Sequence, residues 1–368
     1  MTVTSVEGML HRAALRGPQD EAVVAGRDRT DYETLNRMAD SIAAFLGERG
    51  VGPGDRVGIL STKSVAEVAA IYGILRAGAA FVHINPQYRE AHLCHVVENC
   101  GITSLFVDRA RWRLLCRAYP SESPFELIVQ MGPLPEIDAD GLPEPVAWEE
   151  VLATTGGPRT PSPSDGDLAA VIYTSGSTGM PKGIMVSHLV FRESTEASAR
   201  VLENRKEDRL ISVTPFSFDG ALSQLFTAVM VGGTLVQQGS TFPNDIVRTL
   251  REERITGFHA MPSLWATLLG ERSTFSDFEY PDLRYISIIG EKLPSKHLAR
   301  LRDLLPGTRI IIMYGTTEAF RSTYLPPDRL DDKPGSVGIP FPGVRIRVLG
   351  DGDEELPAGE VGLIAHSG

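Results

Sequence analysis

The chain has 368 residues, of which 42% are apolar and 23% charged, and its formal net charge is -11. That length exceeds one compact core and predicts two or more subdomains, while the acidic balance argues against the basic footprint that grips nucleic acid. Three cysteines, Cys94, Cys100 and Cys116, form no CxxC pair, which argues against a disulfide scaffold and fits a reducing, cytoplasmic setting.

Met1–Met9 lacks the basic-then-apolar order of a signal peptide. No apolar run reaches the roughly 18 residues that a membrane-spanning helix needs. Tyr32, Leu35, Met38, Ala39, Ile42, Phe45 and Leu46 recur at helical spacing, and Gly50 ends the run. Asp55–Leu60 reads as a short strand, Val65–Ala77 as a buried helix and Ala79–Ile84 as a second strand. Such a β-α-β order favours a parallel sheet. Arg89–Asn99 reads as an amphipathic helix; it places His92 and His95 on one face, but a structural zinc site would use paired CxxC or HxxxH units. Pro133–Asp167 is rich in Pro, Gly, Asp, Ser and Thr, and reads as a long surface connection with a short helix at Val146–Ala153.

The alternation then resumes. Leu168–Tyr173, Leu210–Thr214, Thr234–Gln237, Gly257–Met261, Tyr285–Ile289 and Arg309–Tyr314 read as strands. Leu189–Leu202, Ile246–Arg254, Leu264–Leu269 and Lys296–Leu304 read as helices. After Pro342, Val344–Val348, an acidic turn and Gly362–Ala365 read as an antiparallel hairpin. These patterns predict a first α/β subdomain over 1–165, a second over 166–335 and the start of a further element over 336–368.

The strongest chemical signal is Tyr173-Thr-Ser-Gly-Ser-Thr-Gly-Met-Pro-Lys-Gly183. Small and hydroxylated residues leave backbone N–H groups open to an anion, and Lys182 adds positive charge. The stretch follows an apolar strand, is expected to precede a helix, and suits the β- and γ-phosphates of a nucleotide. The alternative, a flexible Gly/Ser linker, does not account for the Pro-Lys-Gly ending. The Gly-Lys-Ser/Thr ending of a Walker loop is absent.

This loop resembles that of the adenylate-forming superfamily of acyl-CoA synthetases, nonribosomal peptide synthetase adenylation domains and luciferases. Val186-Ser-His188, Gly290-Glu291, Tyr314-Gly-Thr-Thr-Glu318, Arg76–Pro86 and Gly359–Ile364 are similar to further family segments, in family order. The resemblance implies an α/β fold like the N-terminal domain of acetyl-CoA synthetase: two α/β sheet subdomains and the start of a β-barrel. It also implies ATP, Mg²⁺ and a phosphopantetheine thiol on a partner carrier protein. Thr174, Ser175, Gly176, Ser177, Thr178, Gly179 and Lys182 would hold phosphate. Tyr314 would stack on adenine beside Gly290 and Glu291, flanked by Met313, Gly315 and Thr316. Thr317 would bind the α-phosphate and Glu318 the Mg²⁺, a hard cation suited to carboxylate oxygen. Lys182, Thr317 and Glu318 are thus the implied catalytic residues, acting by positioning and charge neutralisation.

Within Thr214-Pro-Phe-Ser-Phe-Asp219, the resemblance matches Asp219 to the carboxylate that amino-acid-activating members pair with the substrate ammonium. Asp219 could instead cap a following helix. The acid pocket implied by the resemblance is lined by Phe218, Gly220, Ser223, His259, Ser287, Ile289, Met313, Arg321 and Ser322. His259 and Arg321 are polar where a plain apolar substrate would want grease. Arg321 is either a bidentate clamp for a second carboxylate, which favours a polar or acidic α- or β-amino acid, or a solvated surface residue. The family's ribose-binding Thr-Gly-Asp segment and the small C-terminal domain with its catalytic Lys lie beyond Gly368. A chain of these 368 residues is therefore expected to bind nucleotide and acid but to adenylate poorly. An acyl- or aryl-CoA ligase and a non-catalytic nucleotide-binding module are the rival readings.

Overall fold

A computed structural model describes residues 5–134, 140–156, 163–174 and 179–368. In chain order the elements begin α1 (Glu7–Arg16), β1 (Glu21–Ala25), β2 (Asp28–Asp31), α2 (Tyr32–Glu48), β3 (Arg56–Leu60), α3 (Val65–Arg76) and β4 (Ala80–His83). There follow α4 (Glu90–Cys100), β5 (Ser104–Asp108), α5 (Arg109–Ala118), β6 (Leu127–Met131), β7 (Val146–Ala147) and α6 (Trp148–Ala153). Next are β8 (Leu168–Thr174), β9 (Lys182–Ser187), α7 (His188–Leu202), β10 (Arg209–Ser212), α8 (Asp219–Val231), β11 (Thr234–Gln237) and α9 (Pro243–Glu252). The chain closes with β12 (Gly257–Ala260), α10 (Pro262–Leu268), β13 (Tyr285–Ile288), α11 (Ser295–Leu304), β14 (Arg309–Tyr314), β15 (Thr323–Leu325), β16 (Ile339–Pro340), β17 (Arg345–Leu349) and β18 (Leu363–Ser367).

These elements form two compact units. The first takes residues 1–192, 205–207 and 212–239; the second takes 193–204, 208–211 and 240–368. Residues 166–192 and 212–239, which the sequence pattern grouped with a second subdomain, therefore lie with the first unit.

The first unit is built on the strand order β7-β6-β5-β3-β4-β8-β9. Within that sheet, the described pairings are parallel except that of β8 with β9. Crossover helices connect most of the parallel strands, and side-chain caps start three of its helices: Asp31 accepts from Thr34 N, Ser64 from Glu67 N and Asp108 from Arg111 N. Helices α2 and α3 meet across Gly73, where a Cβ would lie 2.5 Å from the Ile42 side chain. That distance explains glycine in a helix interior, where it otherwise costs about 1 kcal/mol against alanine.

The phosphate-loop sequence was expected to lead straight into a helix. Instead Lys182–Ser187 forms β9, with Lys182 opposite Thr174 and Val186 opposite Ala170. An exposed edge strand is held by its backbone ladder and carries little apolar alternation, so sequence pattern passes over it. The short helix predicted at Val146–Ala153 begins at Trp148, because Val146 and Ala147 pair with Val129 and Gln130 of β6.

The second unit carries β10-β12-β13-β14 in parallel register, extended by antiparallel β15 and β16. Trp265 of α10 is fully buried between Phe258 and Phe275. Asp208, 1% exposed, accepts a bidentate pair from Arg284 at 2.7 and 2.6 Å and a hydrogen bond from Thr256 Oγ1 at 2.8 Å. The hairpin predicted after Pro342 is present as β17 and β18, with Arg345 opposite Ser367.

Candidate active site

Because β12, β13 and β14 run parallel, their carboxyl ends open on one side, the usual ligand side of such sheets. The register puts His259 opposite Ser287 and Ser287 opposite Ile311. Ile289 and Gly290 follow β13, and Met313 and Tyr314 end β14. The second unit thus brings together the residues expected around adenine and on the floor of the acid pocket. Gly290 has φ +108°, a conformation that favours glycine, and a Cβ there would meet only Met261 at 3.6 Å. The backbone at Gly290 therefore offers a bare, open surface.

His259 Nδ1 lies 2.9 Å from Ser287 Oγ, and Ser287 is fully buried. Burial, helped by the positive charge of Arg321, lowers the His259 pKa to about 3. The imidazole is consequently neutral and can donate or accept one hydrogen bond. Arg321 is only 5% exposed, which removes the reading of it as a solvated surface residue. Its place is fixed by a tight turn: Ser322 N donates to Tyr314 O at 2.9 Å, and Phe320 takes φ +54°. Gly315 makes the turn possible, since a Cβ there would sit 2.0 Å from Phe320 O. Ser322 Oγ pairs with His366 Nδ1 at 3.0 Å, a contact from β18 that no motif signalled.

Thr316 and Glu318 lie exposed on the same turn, with Thr317 partly buried between them. Among the described residues no group of three or more His, Cys, Asp or Glu could cage a metal ion. An exposed single carboxylate nevertheless fits Mg²⁺, which keeps waters and takes most of its other ligands from phosphate oxygens.

In the first unit, Thr174 ends β8 and Lys182 begins β9, opposite it across the hairpin. Lys182 is exposed, and Gly179 has φ +90°. Ser175, Gly176, Ser177 and Thr178 lie outside the described residues. His95 of α4, weighed in the sequence only as a weak metal ligand, bonds Pro181 O at 2.9 Å and so braces the hairpin mouth. Only its position three residues after His92 was legible; the partner 86 residues away was not.

Asp219 is the first residue of α8, with Phe218 at the cap position and no side-chain cap bond there. It is partly buried, not deeply buried, and the helix N-terminus favours its negative charge. Phe218 is 41% exposed, whereas Ala221, Leu222, Leu225 and Phe226 are fully buried. Gly220 and Ser223 are partly buried on the first turns of the helix.

The AMP-binding enzyme family profile matches residues 10–368. The chain belongs to that family, which places it among the adenylate-forming ligases. It is similar to bacitracin synthase 3 of Bacillus licheniformis, with 28% identity over 99% of this chain but only 5% of that protein's length. Among solved structures it resembles VinN in complex with L-aspartate, with a TM-score of 0.81 and 26% identity over 99% of this chain and 89% of VinN. The anthranilate CoA ligase AuaEII in complex with anthranoyl-AMP has the same fold, with a TM-score of 0.88 and 22% identity over 100% of this chain and 69% of the ligase. No helix among the described residues is long and apolar enough to cross a membrane.

Proposed function

We propose that the chain activates an amino acid with a polar or acidic side chain to an aminoacyl-adenylate, which then passes to the phosphopantetheine thiol of a carrier protein. The observation that carries this reading is Asp219. It is a carboxylate kept accessible at the first residue of α8, while the turns behind it are buried. A carboxylate in that setting suits a substrate ammonium. Within the second unit, the nearly buried Arg321 and neutral His259 supply a cation and a hydrogen-bonding group suited to a carboxylate. VinN, whose structure was solved with L-aspartate, supports an acidic side chain.

In the reaction a substrate carboxylate oxygen attacks the α-phosphorus of ATP, and the bond to pyrophosphate breaks. The carrier thiol then attacks the carbonyl carbon of the adenylate and AMP leaves. No protein nucleophile is required, so catalysis rests on alignment and on neutralising phosphate charge. Thr317 and Lys182 hold phosphate oxygens, and Tyr314 with Gly290 receives the adenine. Glu318 would hold Mg²⁺, which when bound supplies charge neutralisation at the phosphates.

The test is a thermal-shift panel of stable aminoacyl, acyl and aryl sulfamoyl-adenosines. A ligand at about 100 times its Kd adds about 2.7 kcal/mol of stability. The expected winner is an aminoacyl analogue with an acidic side chain. A win by fatty or aryl analogues would overturn the reading in favour of a CoA ligase.

A further inference from the structure

We propose that Lys63 is a positioning residue for Asp219, acting through Phe216; this rests on the amino-acid reading above. Lys63 follows the carboxyl end of β3 and is held on both sides. Thr62 N and Oγ1 both donate to Asp108 Oδ2 at 2.6 Å, and Ser64 Oγ caps α3 by accepting from Glu67 N at 3.1 Å. From there Lys63 Nζ reaches into the segment between β10 and α8. It donates to Ser212 Oγ at 2.8 Å and lies 4.7 Å from the centroid of the fully buried Phe216 ring. His83 meets the same ring edge-on, with centroids 6.1 Å apart.

Behind the ring these groups close into a network. His83 Nε2 lies 2.6 Å from Glu67 Oε1, and Gln237 Nε2 donates to Glu67 Oε2 at 3.1 Å. Gln238 N, the next residue along, donates to Ser212 O at 3.0 Å. Residues 212–216 are thereby gripped at both ends, and Phe218 N turns back onto Pro215 O at 3.1 Å just before Asp219 opens α8.

Bulk packing alone does not explain this arrangement. Burial lowers the Lys63 pKa to about 8, against the pull of Glu67, so the ammonium is kept at a cost an apolar side chain would avoid. What a cation supplies in addition is direction: it fixes the face of one aromatic ring and one hydroxyl at once. Phe216 is three residues from Asp219, so the ring's placement sets where the carboxylate starts.

The experiment measures the binding of aspartyl sulfamoyl-adenosine and of its des-amino counterpart, succinyl sulfamoyl-adenosine, by calorimetry. It compares the unaltered chain with Asp219→Ala, Lys63→Met and Lys63→Arg. The unaltered chain should favour the amine-bearing probe roughly thirtyfold, and Asp219→Ala should abolish that preference. Lys63→Met should cut the preference about tenfold while leaving succinyl affinity within about twofold, and Lys63→Arg, which keeps charge and ring contact, should restore most of it. A preference unchanged in Lys63→Met, or an equal loss for both probes, would overturn the proposal. No preference in the unaltered chain would instead sink the amino-acid reading and this inference with it. If Lys63→Met does not fold, Phe216→Leu serves in its place, with the same expected change in ratio.

Discussion

At the scale of single residues, charge decides more than shape does. Asp219 sits where a helix N-terminus already favours an anion. Asp219→Asn keeps the size and removes the charge; it should weaken aminoacyl analogues by about 2 kcal/mol and spare des-amino analogues, as read by calorimetry. Arg321→Met should in turn erase the preference for an aspartyl over an asparaginyl analogue, a loss of about 2 kcal/mol for the charged partner. Competition binding of the two analogues checks this. Asp219 and Arg321 were legible from motif position alone. The pairings that surround them were not: Ser287 with His259, His366 with Ser322 and Lys63 with Ser212 join residues from 28 to 149 positions apart.

At the scale of elements, two glycines show how closely the backbone is drawn together. Gly315 lies against Phe320 O in the turn from β14 to β15, so Gly315→Ala must open that turn. Adenosine-containing analogues of every acyl class should lose affinity, because the turn carries the nucleotide-binding residues, and aspartyl analogues should lose most, because the same turn places Arg321. Direct titration of AMP, which has no acyl group, gives the readout, and tenfold weakening or more is expected on the order of 1–3 kcal/mol of backbone strain. Gly73→Ala should instead leave binding intact and cost about 1–3 kcal/mol of stability by pushing α2 off α3, seen as a lower urea midpoint. The helices with a 3.6 period, such as α2, α7 and α11, were read from sequence within a residue or two of their ends. Helix α8 has no such period, because it is apolar on most of its faces, and its existence follows from burial. Edge strands β9 and β16 likewise have no internal pattern to read; partner strands define them.

For the whole molecule, acid sensitivity is set by buried neutral histidines. His188 is fully buried, and its Nδ1 accepts from Val6 N at 3.3 Å. Burial lowers its pKa from 6.5 to about 4. Below pH 6.5 the unfolded chain takes up a proton that the folded chain refuses, so stability falls as pH drops from about 6.5 toward 4. For His188 alone the loss approaches about 3 kcal/mol by pH 4. Urea unfolding at a series of pH values should show that slope, and His188→Gln should flatten it. His259, also lowered chiefly by burial, titrates in the same direction.

The sequence by itself determined the family and the parallel α/β class, and it pointed to the loop, turn and carboxylate residues proposed for the site, since short motifs and local periodicity carry those. Only the tertiary structure decided that 166–192 and 212–239 belong with the first unit, that Arg321 is buried, and that Lys63, Glu67, His83, Phe216 and Gln237 form one network. The physical reason is range. A helix face or an anion-binding loop is written in neighbouring residues, whereas burial and buried ion pairs depend on which distant segments the sheet brings side by side.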